Sequence, residues 1–147
     1  MTLKAQISED MKTAMRAKDS VRLGTIRLLQ SAIKQREVDE RIELNDGDVI
    51  AVIEKMLKQR RDSIAAFESA NRTDLADIEK FEVTVLQGYL PQQLTEDEMK
   101  VILDQVVADT GAEGVKDMGK VMAAIKPLVA GKAEMGKISG LIKARLA

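Results

Sequence analysis

A chain of 147 residues with 45% apolar and 32% charged side chains can build one ordinary core or two small ones, and its balance suits a soluble globular protein rather than a disordered one. It contains neither cysteine nor histidine, which excludes disulfides, thiolate nucleophiles, Cys/His zinc and haem ligation, and removes the side chain that titrates near neutrality. The net charge of −1 hides two opposed blocks: residues 92–113 carry Lys100 against six acids (−5), and residues 114–147 carry seven Lys/Arg against Asp117 and Glu134 (+5).

Phe67, Phe81 and Tyr89 are the only aromatics, so the core must be built from Leu, Ile, Val, Ala and Met, as in packed helices. Leu3, Ile7, Met11 and Ala14/Met15 recur at helical spacing and predict a first helix of about four turns. Lys18-Asp19-Ser20 interrupts it, with Asp19 or Ser20 the expected N-cap of the next. The second helix carries Val21, Leu23, Ile26, Leu28, Leu29, Ala32 and Ile33, a stripe wide enough to predict the most buried helix of the chain. Its pattern fades in the charged stretch from Arg36 to Glu43.

Asn45-Asp46-Gly47-Asp48 supplies turn and cap chemistry for a third, long helix with Val49/Ile50, Ile53, Met56/Leu57, Ile64 and Phe67 on one side, ending near Ser69. The fourth carries Leu75, Ile78, Glu82, Val85/Leu86 and Tyr89 and stops at Gly88–Pro91, because proline lacks an amide donor and its predecessor avoids helix. Pro91–Leu94 is the expected domain boundary, dividing residues 1–91 from 92–147. Thr95 and Glu98 then match a capping box for a helix over Met99, Ile102/Leu103 and Val106, with Gly111 as its stop. Met118, Val121/Met122, Ile125 and Val129 predict a short helix whose last turn Pro127 kinks or shortens. Met135, Ile138, Leu141/Ile142 and Leu146 predict a final one. The fold class is all-α: long antiparallel helices followed by a small three-helix domain.

Three constellations stand out. The basic end places Lys116, Lys120, Lys126, Lys132, Lys137, Lys143 and Arg145 among Gly119, Gly131 and other glycines. Lysines with close-approach glycines and few aromatics suit phosphate contact rather than base stacking. Arg60 and Arg61 fall on the apolar stripe of the third helix, where an arginine must snorkel, bind phosphate or find an acid such as Glu82. Met99, Met118, Met122 and Met135 cluster in the tail at core spacing. The acids Glu96, Asp97 and Glu98 are ordinary helix-start residues, and no metal or other cofactor is expected.

Lys58-Gln59-Arg60-Arg61-Asp62-Ser63-Ile64, Tyr89-Leu90-Pro91-Gln92-Gln93-Leu94 and Lys116-Asp117-Met118-Gly119-Lys120-Val121-Met122 together resemble the YqeY-like (GatB/YqeY) family, in order and over essentially the whole chain. The resemblance implies a helical N-terminal domain followed by a domain similar to the tail of the B subunit of tRNA-dependent amidotransferases, which grips tRNA and performs no chemistry. The stretch most similar to that tail runs from Gly119-Lys120 through Lys126, Gly131-Lys132 and Lys137. Glu134-Met135-Gly136 departs from the short polar turn expected there. Carbon–nitrogen ligation with glutamine as amido donor attaches to the family, not to residues of this chain, and no catalytic residue is assigned.

The resulting expectation is a non-catalytic tRNA-binding accessory protein with a lysine-rich C-terminal interface. The alternative is an adaptor docking an aminoacyl-tRNA synthetase or amidotransferase. No stretch approaches ~18 uncharged apolar residues, so no membrane partner is expected. The first nine residues carry no secretory pattern, and the expected location is cytoplasmic.

Overall fold

The computed structural model describes residues 2–147. Among them the chain forms seven α-helices, one 3-10 turn and no strand. It divides into two compact units, one ending at Leu90 and the other running Pro91–Ala147.

The N-terminal unit contains α1 (Leu3–Arg16), α2 (Ser20–Glu40), α3 (Asp46–Ser69) and α4 (Thr73–Gln87). Local chemistry sets three of the four starts. The Thr2 hydroxyl accepts the Ala5 amide at 3.1 Å, and the Asp19 carboxylate accepts the Arg22 amide at 3.2 Å. Asn45 and Asp48 form a reciprocal box, with the Asp48 amide donating to Asn45 Oδ1 at 2.9 Å and the Asn45 amide to Asp48 Oδ2 at 3.2 Å. Each bond satisfies an amide that the first helical turn leaves without a partner. Three chain reversals use left-handed backbone without glycine, at Lys18, Arg41 and Asn71.

The core of this unit joins Ile7 and Ala14 of α1, Ile26, Leu29 and Ile33 of α2, Val49, Ile53 and Leu57 of α3, and Leu86 of α4. Burying each large side chain contributes roughly 2 kcal/mol. The wide stripe of α2 is not buried as a whole. Its buried residues are Thr25, Ile26, Leu29 and Ile33, while Val21 and Leu28 are more than half exposed. α3 is the more buried helix, with Val49, Val52, Ile53, Met56 and Leu57 inside. On α4, Ile78 faces solvent and Ala76 is buried instead. The charged stretch after Arg36 remains helical to Glu40, held at i,i+4 by Arg36 with Glu40 and by Gln35 with Asp39.

The C-terminal unit contains α5 (Glu96–Thr110), a 3-10 turn (Val115–Asp117), α6 (Met118–Val129) and α7 (Met135–Leu146). Thr95 accepts the Glu98 amide at 3.1 Å and Glu98 accepts the Thr95 amide at 3.3 Å, a complete capping box. Gly111 ends α5 in the left-handed region at φ +67°. Pro127 lies in the last turn of α6, which stops two residues later. Met99, Leu103, Val106, Val121, Ile125, Val129, Ile138, Ile142 and Leu146 form the core, and Met118, Met122 and Met135 pack partly buried against it. The methionines therefore serve packing.

Candidate nucleic-acid interface

The three helices of the C-terminal unit divide by charge. α5 exposes Glu96, Asp97, Glu98, Asp104 and Asp109, whereas α6, α7 and the segments before them expose Lys116, Lys120, Lys126, Lys132, Lys137 and Lys143. The periodicity that buries Val121, Ile125 and Val129 turns Lys120 and Lys126 outward, and burial of Ile138, Ile142 and Leu146 does the same for Lys137 and Lys143. Each pair is six residues apart, about 120° round a helix. The lysines therefore line both flanks of α6 and α7 instead of one row.

Ion pairs of this unit include Lys100 with Glu96 at 3.4 Å and Arg145 with Asp104 at 3.0 Å. Among the described residues, Lys116, Lys120, Lys126, Lys132 and Lys143 enter none. Their charges are uncompensated by a local carboxylate and lie beside solvent, where a polyanion exchanges its counterions for them.

The glycines fall into two kinds. A Cβ built on Gly119 or Gly140 meets nothing within 4 Å, and on Gly136 it meets only Glu134 Oε1 at 4.0 Å. None of the three has positive φ. Folding does not require glycine at these positions, although glycine within a helix costs about 1 kcal/mol relative to alanine. Open space beside Lys120, Lys137 and Lys143 suits the close approach of another molecule's backbone. Gly131 is different: it is buried, adopts φ +74°, and its carbonyl accepts Gln93 Nε2 at 2.8 Å. With the Lys132 carbonyl accepting the Leu94 amide at 2.8 Å, this turn is anchored to the start of the unit. Gly131 is a turn former and leaves the candidate interface.

The three arginines of the expected interface are engaged elsewhere. Arg60 is 14% exposed and its guanidinium pairs with Glu82 at 3.0 Å and Glu79 at 4.0 Å, so it supports the packing of α3 on α4. Its Nε is buried without a hydrogen-bond partner. Arg61, one position on, has an interaction of its own. Arg145 is engaged by Asp104 of α5.

Among the described residues, no three His, Cys, Asp or Glu side chains are grouped so as to hold a metal ion, and no helix is long and apolar enough to cross a membrane. A basic surface that sequence reasoning missed lies on α1 and α2. Its signal was present in the local charge of residues 11–36, which an acidic stretch immediately after them offsets in any whole-chain sum.

A family model described as Yqey-like protein matches residues 4–146. The chain is 39% identical over 89 residues to "Altered inheritance of mitochondria protein 41, mitochondrial" from Lachancea thermotolerans, covering 60% of this chain and 48% of the relative. It is 40% identical over 86 residues to the protein of that name from Kluyveromyces lactis (58% and 46%), and 32% identical over 129 residues to that from Pyrenophora tritici-repentis (82% and 70%). The chain spans about half the length of the first two relatives. These names correct the expected cytoplasmic location, because the relatives are mitochondrial proteins by name. The match from residue 4 to residue 146 takes in both helical units, and the chain belongs to the YqeY-like protein family.

Proposed function

We propose that this protein is a non-catalytic tRNA-binding accessory factor whose C-terminal unit contacts the sugar–phosphate backbone. The observation that carries this reading is the set of exposed lysines on and before α6 and α7, of which Lys116, Lys120, Lys126, Lys132 and Lys143 enter no ion pair, beside glycines that folding does not need. Lysine is a point charge suited to phosphate and carries no base readout, so affinity is expected to be broad, on the order of micromolar, and steeply salt-dependent. Contact with about four phosphates gives a slope of log K on log salt near −3 to −4. Any part in glutamine-dependent amide transfer would come through an enzyme that the protein assists.

The test is a gel-shift or filter assay with bulk tRNA. Lys116→Glu, Lys120→Glu and Lys132→Glu together should abolish retention at unchanged helicity, and unchanged retention would defeat the reading. A protein–protein adaptor has one observation in its favour: Val101 is 70% exposed on the acidic helix α5. Pull-down with and without nuclease separates the two, since an adaptor's partner survives nuclease and a ribonucleoprotein's does not.

A further inference from the structure

The N-terminal unit carries a second basic surface, on α1 and α2. Residues 11–36 hold seven Lys/Arg against Asp19 alone, a local charge of +6. Lys12 and Arg16 lie one turn apart on the side of α1 opposite Ile7 and Ala14, and Arg27 and Lys34 share one flank of α2, about 110–130° round from Ile26, Leu29 and Ile33. α1 and α2 pack on each other, both contact α3, and each leaves a face to solvent beside the other. Lys12 lies four residues before the end of α1 and Arg27 seven residues after the start of α2, about 6 Å and about 10 Å along neighbouring helices from the turn that joins them. Lys18 projects from the turn itself, where its φ is +57°.

Three of these seven cations are in ion pairs, Lys12, Arg22 and Arg36, the last with Glu40 and Asp48. Among the described residues, Arg16, Lys18, Arg27 and Lys34 are exposed and enter no ion pair, although the Lys34 charge helps to hold the Glu37 carboxyl down. Lys12 reaches Glu9 at 3.4 Å, and Arg22 is taken by Asp19 at 3.7 Å and by the Phe81 ring, 5.9 Å from its centroid. An independent feature marks the same place. Gly24, inside α2, has nothing within 4 Å of a built Cβ and no positive φ, so neither packing nor backbone conformation calls for glycine. It repeats the combination found at Gly119 and Gly140: an open helical glycine beside unpaired cations.

We propose that the outward face of the α1–α2 hairpin is a second RNA-backbone contact surface, in which Arg16, Lys18, Arg27 and Lys34 take phosphates and Gly24 admits the chain between them. The choice of RNA as the polyanion rests on the function proposed above. Arginine adds what the C-terminal lysines lack, a planar fork that binds phosphate through two parallel hydrogen bonds.

The experiment uses the full chain, bulk tRNA, and a salt titration of the dissociation constant. Arg16→Gln/Arg27→Gln/Lys34→Gln is expected to weaken binding about tenfold or more and to make the salt slope shallower by about 2, as losing two or three phosphate contacts requires. Gly24→Ala is expected to raise the melting temperature and yet weaken binding, a pair of effects that a purely structural glycine cannot give. Unchanged affinity and slope in the triple variant, while Lys116→Glu/Lys120→Glu loses binding, would overturn this surface and leave the C-terminal reading intact. Loss in the triple variant with no loss in the lysine variant supports this surface and removes the C-terminal one. Exposed Val21 and Leu28 on α2 name the competing ligand. Retention on phosphatidylglycerol vesicles with no tRNA affinity would assign the face to an anionic membrane and overturn the proposal.

Discussion

The Tyr89 hydroxyl donates to Asp10 Oδ2 at 2.6 Å, closing the N-terminal unit by tying the segment after α4 to its first helix across 79 positions. Burial and the neighbouring carboxylate push the Tyr89 phenol well above its ordinary range, while Arg22 opposes them. Tyr89→Phe should lower stability by about 1–2 kcal/mol, because the charge-assisted bond is lost while Asp10 keeps only the Gln6 amide at 2.8 Å. Urea denaturation measures it. The folded state favours the protonated phenol, so its contribution is complete below about pH 10 and is lost as pH rises further. The variant should therefore show a flatter alkaline limb than wild type.

Glu37 supplies the corresponding acid-side link. Its carboxylate accepts Lys4 Nζ at 2.6 Å and the Leu44 amide at 2.9 Å, fixing the reversal after α2 to α1. The Lys4 hydrogen bond, followed by the Leu44 amide, holds Glu37 below the usual carboxylate range. A depressed carboxyl stabilises the fold above its unfolded value, near pH 4.3, and loses that contribution as pH falls through the folded one. Glu37→Gln should lower the melting temperature at pH 7 and flatten the profile between about pH 5 and 3. A parallel acid limb in the two proteins would show that Glu37 does not supply this linkage.

Helix starts and stops were legible because they are decided within a few residues. Thr95 with Glu98, Asn45 with Asp48, Asp19 before α2 and Gly111 after α5 each act through a bond or a φ preference local in sequence. Burial on α2 was not legible. Its apolar residues cover more of the helix than its neighbours can bury, and only tertiary packing selects Ile26, Leu29 and Ile33 over Val21 and Leu28. The reversal at Arg41 was hidden because no glycine announces it; Glu37 bonded to Leu44 accompanies it instead. For the candidate interface, composition located the lysines but could not tell Gly131, a buried turn, from Gly119 and Gly140, open helix positions. The difference lies in φ and surroundings, not residue type.

Arg60 provides a test that separates packing from binding. Arg60 and Glu82 are each 14% exposed, and Glu79 is 23% exposed, so removing the cation leaves two acids facing each other in a partly dry site. Arg60→Met should cost about 3 kcal/mol, since breaking a buried pair by deleting one partner strands the other charge. Glu82→Gln in the same background should recover part of the loss, and a double-mutant cycle in urea reads the coupling. Binding of tRNA by the folded variant should match wild type. A selective loss of affinity at full stability would return Arg60 to the interface.

The two kinds of glycine predict opposite outcomes for one substitution. Gly140→Ala adds a methyl where nothing lies within 4 Å, in the middle of α7, and should stabilise the C-terminal unit by about 0.5–1 kcal/mol through a smaller loss of backbone entropy. Gly131→Ala forces an L side chain into φ +74° at a buried turn and should destabilise the same unit by about 1 kcal/mol or more. Chemical denaturation followed by circular dichroism measures both. Binding then decides the role of the open glycine: Gly140→Ala should weaken tRNA affinity despite its higher stability, because the methyl stands between Lys137 and Lys143 where the phosphate chain is to pass. A Gly140→Ala protein that is both more stable and equally tight in binding would remove close approach from the explanation and leave the lysines alone to account for the interface.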